Sequence, residues 1–91
     1  MNNIAYVYCL EKDGIPFYVG RTISIENRKK YHKTRFNNFE FKILFTTSKD
    51  LSVIIEKQVI RDLIDKGIKL ENRQLYPLIK KKHYRHINNG Y

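Results

Sequence analysis

The chain has 91 residues, enough for one domain with a small core, and its 18 Lys and Arg against 9 Asp and Glu give a formal net charge of +9. So high a charge on so short a chain predicts a polyanionic partner, above all DNA, although a basic groove would serve RNA as well. The basic residues are spread over the whole sequence and no apolar run could span a bilayer, which argues against a membrane partner. One cysteine excludes an internal disulfide, and without a signal-peptide pattern we expect an intracellular, reducing location such as the cytoplasm.

Two short runs rich in aromatic and β-branched residues, Tyr6–Leu10 and Phe17–Gly20, predict a β-hairpin. The length of its turn decides which side chains share a face of the sheet. A strict two-residue turn at Asp13-Gly14 would put Tyr8 and Tyr18 on opposite faces.

We expect instead a three-residue loop, Lys12–Gly14, whose glycine takes the left-handed conformation. Tyr8 then lies directly opposite Tyr18. Tyr6 lies opposite Gly20 on the same face, where a ligand could approach the glycine backbone closely. The other face of the hairpin is apolar and packs into the core: Val7, Cys9, Phe17 and Val19.

A first helix is predicted from about Ile25 to Lys33, with Ser24 as its N-cap. At 100° per residue, Arg28 and His32 lie within about 60° of Ile25. This face of the helix is either the edge of a surface helix or the side that turns toward the hairpin. In the second case Arg28 and His32 would contact a phosphate, which a guanidinium binds well.

A third strand is predicted where Phe39–Phe45 alternates strictly. Ser48 and Asp50 are competing N-caps for the longest helix, from about Leu51 to Lys66, which Gly67 ends. The alternation turns four side chains of the strand toward the core: Phe39, Phe41, Ile43 and Phe45.

Glu56 is the most informative residue of the long helix, because the helical pattern turns its carboxylate inward among apolar side chains. A charge there needs a cation, a hydrogen-bond network or protonation. It is either an ion pair with Arg28 or a lysine, or a metal ligand. No other acid shares this inward bias, so a metal site would hold one Mg²⁺ or Mn²⁺ ion through a single carboxylate, water and substrate oxygens.

The sequence after the long helix is less regular. Asn72 either orients a catalytic group or serves a turn. A short helical or extended piece follows at Leu75–Ile79, limited by Pro77. We expect residues 1–79 to form the domain.

The last residues, 80–91, form a basic tail that is either a flexible, solvated terminus or an arm that orders on binding. Its run Lys80–His86 interleaves cations with aromatic rings, which suits a phosphate backbone and stacking on bases. Together with cations elsewhere, the expected contacts to nucleic acid are Arg21, Lys29, Lys33, Arg35, Arg73, Lys80, Lys81, Lys82 and Arg85.

These motifs together resemble the GIY-YIG nuclease family. Tyr6-Val7-Tyr8 stands where that family has Gly-Ile-Tyr, and Tyr18-Val19-Gly20 stands for Tyr-Ile-Gly. Further positions that resemble the family's site residues are Arg28, His32, Glu56 and Asn72. The resemblance extends over most of the chain, from about Ile4 to Leu75. It implies an α+β fold, with a small three-stranded antiparallel sheet and flanking helices.

One departure from the family pattern is Tyr6, which replaces the glycine of the first motif. Since we expect it opposite Gly20, its side chain would narrow the site or alter the approach of substrate. The family commonly joins its nuclease module to a separate DNA-binding domain. None is recognisable here, so we expect binding through the module's own basic surface, its tail or a homodimer.

The resemblance implies a metal-dependent DNA endonuclease that hydrolyses a phosphodiester with one metal, water as nucleophile and a tyrosine in proton transfer. Tyr8 would accept the proton and Tyr18 would position water or phosphate. Arg28 would stabilise charge on the phosphate, and Glu56 would hold the metal. A free tyrosine is ionised so rarely at pH 7 that forming its phenolate costs roughly 4 kcal/mol. His32 is therefore an alternative proton acceptor.

Two other functions fit the same residues. The chain could keep the nuclease fold and bind nucleic acid without cutting it, as the replacement of the motif glycine suggests. It could also be an adaptor for acidic proteins, which would bind DNA with little dependence on salt.

Overall fold

The computed structural model describes residues 3–72, and these form a small α+β domain with a three-stranded antiparallel sheet and two helices. The sheet order is β2-β1-β3, so β1 is the central strand. The predictions for Arg73, for the piece at Leu75–Ile79 and for the basic tail lie outside the described residues. In chain order the elements are β1 Ile4–Lys12, β2 Ile15–Thr22, α1 Ile25–Lys33, β3 Glu40–Ser48 and α2 Lys49–Asp65.

The hairpin turn has two residues rather than three. Lys12 pairs with Ile15, and the residues between them, Asp13 and Gly14, both have positive φ, at 53° and 78°. Two left-handed residues make a type I′ turn, whose twist matches that of the flanking strands. The prediction of a three-residue loop was therefore wrong, although Gly14 does take the left-handed conformation.

A β-bulge compensates for the shorter turn. Leu10 pairs with Tyr18 and the next pair is Glu11 with Pro16, which leaves Phe17 as an extra residue on β2. One extra residue reverses the alternation of β2 beyond the bulge. From Tyr18 onward, the two-residue turn with a bulge therefore puts the same side chains of β2 on each face as the three-residue loop would have done, whereas Phe17 itself changes face.

The register differs from the prediction by two positions. Tyr8 pairs with Gly20, and Tyr6 pairs with Thr22. Tyr8 and Tyr18 still share a face, but as diagonal neighbours rather than direct partners. The expectation that Tyr6 crowds Gly20 was wrong.

The apolar face of the sheet, defined by Val7, Cys9 and Val19, packs against α2. Ile60 is the buried centre of this contact, and neighbouring side chains surround it: Ile55, Val59, Leu63, Ile64 and Leu70. The tyrosine face, defined by Tyr8, Tyr18 and Gly20, lies on the opposite side. Its buried cluster includes Phe17, which the bulge moves away from the predicted apolar face, and also Leu10, Phe36, Phe39 and Phe41.

The predicted alternation of β3 holds for only half of the strand. Phe39 and Phe41 pack against the cluster around Tyr8, as predicted. Ile43 and Phe45 are each 48% exposed, so the prediction that they lie in the core was wrong. A second bulge interrupts the register here, and β3 lies at an edge of the sheet with one neighbour only.

Local capping sets the helix boundaries. Ser24 accepts a hydrogen bond from the backbone N–H of Asn27, and α1 has the predicted bounds. Ser48 accepts a bond from the N–H of Leu51 and is therefore the N-cap of α2. Gly67, with φ 87°, donates its N–H to the carbonyl of Ile64 in a Schellman-type end.

Candidate active site

A hydrogen bond between Tyr8 and His32 forms the centre of the site. The Tyr8 hydroxyl lies 2.7 Å from His32 Nε2 and joins the central strand to α1. Both residues are buried, with exposed fractions of 1% and 0%. Ser24 begins α1 at a point that carries His32, on its last turn, onto the tyrosine face.

The electrostatics of this pair favour neutral forms. Burial raises the pKa of Tyr8 above its usual range, and the charge of Glu56 raises it further, whereas Arg28 and Arg35 lower it. Burial lowers the pKa of His32 to about 4, and the two guanidinium groups act in the same direction. His32 is thus a neutral imidazole at pH 7, and its Nε2 lies within hydrogen-bond distance of the Tyr8 hydroxyl. Its Nδ1 atom is buried and has no hydrogen-bond partner among residues 3–72.

Gly20 makes room for the Tyr8 ring. A Cβ atom at Gly20 would lie 2.5 Å from the hydroxyl oxygen of Tyr8 and 2.6 Å from Cζ, which is closer than such contacts occur. Sequence reasoning identified the glycine but expected a ligand to approach its backbone. The tyrosine itself occupies that space.

Aromatic rings enclose the pair. The Tyr18 ring is stacked 6.5 Å from that of Tyr8 and lies 4.7 Å edge-on to that of His32, measured between centroids. Phe41 stacks on Tyr8 at 4.4 Å. Sequence reasoning placed Phe41 in the core but missed its contact with the site, which depends on pairing between β1 and β3.

Arg35 and Arg28 add positive charge on the α1 side. The guanidinium carbon of Arg35 lies 5.5 Å from the Tyr18 ring, 5.4 Å from the Tyr31 ring and 4.9 Å from the Phe36 ring. That of Arg28 lies 5.5 Å from the Tyr31 ring. Sequence reasoning missed Tyr31, whose signal was the i, i+3, i+7 spacing of these two arginines around it.

Glu56 points inward as predicted, with 13% of its side chain exposed. Its carboxylate forms an ion pair with Arg21, whose Nε lies 3.4 Å from Oε1 and which was not among the predicted partners. Arg21 pairs with Val7 across the sheet and so belongs to the apolar face. Glu56 approaches from the α2 side and lies within electrostatic reach of Tyr8, because its charge raises the pKa of that hydroxyl.

The described residues contain no dedicated cage for a metal ion. No group of three or more His, Cys, Asp or Glu side chains within 3–72 could hold a metal ion. A single carboxylate is sufficient for Mg²⁺ when water and phosphate oxygens supply the remaining ligands. Glu56, whose side chain is 13% exposed, is the carboxylate that the sequence predicts for this role.

Asn72 acts on the backbone of β2. Its side chain accepts a 2.9 Å hydrogen bond from the N–H of Val19 and donates one to the carbonyl of the same residue. The adjacent Glu71 donates its N–H to the carbonyl of Phe17 at 2.7 Å. Asn72 is 6% exposed and holds the outer edge of the strand that carries Tyr18 and Gly20. In this arrangement it positions the site.

The predicted nucleic-acid contacts within the described residues are exposed: Arg21, Lys29, Lys33 and Arg35. Residues 25–35, which comprise α1 and the start of its following turn, carry five Lys and Arg against one carboxylate. The helix α2 carries three Lys and Arg against four carboxylates. Of the two described helices, the excess of cations is therefore on α1, which carries His32 of the Tyr8–His32 pair.

The sequence matches no family model and no curated protein, and no solved structure matches the chain. Within residues 3–72, neither helix has the length and apolar character needed to cross a membrane.

Proposed function

We propose that this chain is a DNA endonuclease of the GIY-YIG type, which uses one divalent metal ion and a tyrosine–histidine pair to hydrolyse a phosphodiester bond. The observation that carries the proposal is the 2.7 Å hydrogen bond between Tyr8 and His32, in reach of the charges of Arg28, Arg35 and Glu56. A buried tyrosine that serves packing alone needs no such set of charges around its hydroxyl.

The Tyr8–His32 pair gives the tyrosine proton an acceptor, but the imidazole is a weak base at a pKa of about 4, so the cations around Tyr8 must offset much of the cost of ionising it. An ordinary tyrosine costs roughly 4 kcal/mol to ionise at pH 7, and burial raises the pKa of Tyr8 still further. Neutral His32 offers Nε2 as an acceptor, so the hydroxyl passes its proton to the imidazole while it takes one from the attacking water. The water oxygen bonds to phosphorus, the bond to the leaving oxygen breaks, and that oxygen is protonated from solvent.

The surrounding charges have separate roles in this proposal. Arg28 and Arg35 lower the pKa of Tyr8 and, on the same side, would balance negative charge that develops on the phosphate. The negative charge of Glu56 opposes ionisation of Tyr8. Glu56 therefore does not assist Tyr8 as a base, but the same charge suits a ligand for a cation. A divalent ion there would supply Lewis-acid stabilisation of the leaving oxygen.

The direct test is nicking of supercoiled plasmid in Mg²⁺ or Mn²⁺. We expect the wild-type chain to nick DNA and EDTA to abolish the activity. Glu56→Gln, which keeps the size of the side chain, should reduce the rate by roughly 100-fold or more. Asp62→Asn is the matched control on the same helix, since the replacement can still accept the hydrogen bond from Gln58 and should nick like wild type.

Equal nicking by the wild-type chain and Glu56→Gln would contradict the assignment of the metal ligand. A loss shared equally by Glu56→Gln and Asp62→Asn would point to damage of α2 rather than to chemistry. Circular dichroism of each variant separates the two cases.

A second candidate is a nucleic-acid-binding module with the same fold that does not cut. The burial of Tyr8 and His32 favours it, because Tyr8 is only 1% exposed and must be uncovered before water and phosphate can reach its hydroxyl. DNA binding that weakens steeply with salt, without nicking by the wild-type chain in either metal, would support this candidate.

A further inference from the structure

We propose that Tyr31, flanked by Arg28 and Arg35, binds an unpaired base of the substrate, so that the chain prefers DNA with a single-stranded segment over continuous duplex. This inference rests on the proposed function, because it assigns a substrate class to the same site. It concerns a residue that the proposed hydrolysis does not use.

The position of Tyr31 differs from that of the other site aromatics. Its side chain is 48% exposed, whereas Tyr8 and His32 are fully buried. It therefore presents a large ring to solvent on the most basic helix of the described chain. Burial in the core does not account for a ring in this position.

Two guanidinium groups converge on the same ring. Arg28 and Arg35 lie three residues before and four residues after Tyr31, which puts all three on one side of α1 and its following turn. Their guanidinium carbons lie 5.5 and 5.4 Å from the ring centroid. An aromatic ring and guanidinium planes are the surfaces on which unpaired bases stack, and the same cations can pair with the flanking phosphates.

The stacking surface is connected directly to the proposed catalytic pair. The His32 ring lies 5.3 Å from the Tyr31 ring and 5.6 Å from the Tyr8 ring, between centroids. A base on Tyr31 would therefore belong to a nucleotide beside the phosphate that reaches Tyr8. In continuous duplex the bases are paired and stacked inside the helix, so they could reach Tyr31 only by flipping out.

The test is binding measured without cleavage, by fluorescence anisotropy of a labelled single-stranded oligonucleotide and of the matched duplex, both in EDTA. We expect the wild-type chain to bind the single strand more tightly. Tyr31→Ala should weaken single-strand binding by roughly 5- to 150-fold while duplex binding changes little. Tyr31→Phe keeps the ring and should remain within about twofold of wild type.

Phe45→Ala is the matched control, because Phe45 is also a 48% exposed aromatic residue but lies on β3. It should leave the preference for single strands unchanged. Equal binding of single strand and duplex by the wild-type chain would overturn the inference, as would an equal loss of both in Tyr31→Ala. Since no metal is present, these outcomes are independent of plasmid nicking. If the chain nicks DNA but shows no preference for single strands, the proposal for Tyr31 is wrong and the proposed nuclease function is unaffected.

Discussion

The central residues of the two faces of the sheet are buried to the same extent but for different physical reasons. Val7 and Val19 on the apolar face are fully buried against Ile60, and this burial is favourable by itself. Tyr8 on the tyrosine face and its partner His32 are equally buried, although both are polar. Burial there is tolerable only because the two side chains hydrogen-bond to each other, and it shifts the pKa of both. One face thus supplies stability, and the other holds titratable groups in an unusual state.

The two helices show the same contrast. The excess of cations is on α1, which contacts the tyrosine face through the buried His32, whereas α2 over the apolar face has nearly balanced charge. Glu56 is the exception that links them, since it belongs to α2 but acts electrostatically on Tyr8. The contrast predicts that stability and activity can be perturbed separately from the two sides.

The largest expected effect on stability is on the apolar face. Ile60→Ala should lower the free energy of unfolding by about 2–5 kcal/mol, because it removes buried aliphatic surface and leaves a cavity. Urea denaturation followed by circular dichroism measures the loss. Nicking per folded molecule should stay at the wild-type level, and a fall in specific activity would show that the two faces are coupled.

The next effect is a pH dependence of the free energy of unfolding, which arises from His32 on the tyrosine face. The pKa of His32 is about 4 in the folded chain, below its ordinary value of 6.5. Between these values the unfolded chain binds a proton at this position that the folded chain does not. The stability contribution is therefore complete above pH 6.5 and is lost as the pH falls toward 4, by about 3 kcal/mol in total.

Urea denaturation at several pH values compares the wild-type chain with His32→Gln, which cannot titrate. The difference between the two unfolding free energies should vary in this pH window, because contributions from other groups cancel. A constant difference would mean that His32 does not remain neutral in the fold.

A smaller effect on stability and nicking distinguishes alanine substitutions at two glycines. Gly20→Ala should cost about 1–3 kcal/mol and reduce nicking, because its Cβ displaces the Tyr8 ring from His32. Gly14→Ala has open space around the new Cβ and should cost about 1–2 kcal/mol from its positive φ alone, with normal nicking. Urea denaturation and the plasmid assay measure both variants. Equal nicking by the two would show that the Tyr8–His32 bond is not needed.

Much of the fold follows from local patterns in the sequence. The bounds of α1, the end of α2 at Gly67 and the inward direction of Glu56 were predicted correctly because caps and helical periodicity act over a few residues. The shared face of Tyr8 and Tyr18 was also predicted correctly, although the turn was not. Alternation depends only on whether the number of inserted residues is odd or even, so a bulge and a longer loop give the same faces from Tyr18 onward, although not for Phe17.

The remaining features depend on contacts between distant segments. The bulge at Phe17 has no sequence signal of its own, and it decides that Gly20 meets Tyr8 rather than Tyr6. Arg21 became the partner of Glu56 through the packing of α2 on β2. The half-exposed positions of β3 reflect its place at the edge of the sheet, which alternation in one strand does not reveal.

The hydrogen bonds between the Asn72 side chain and the Val19 backbone also affect association between chains. An edge strand with free backbone groups is a template onto which another chain can add. By occupying the outward N–H and carbonyl of Val19, one amide side chain imitates a neighbouring strand and blocks part of that template. The folding unit therefore extends at least to residue 72, beyond α2, and Asn72 helps to prevent another chain from pairing with the edge of β2.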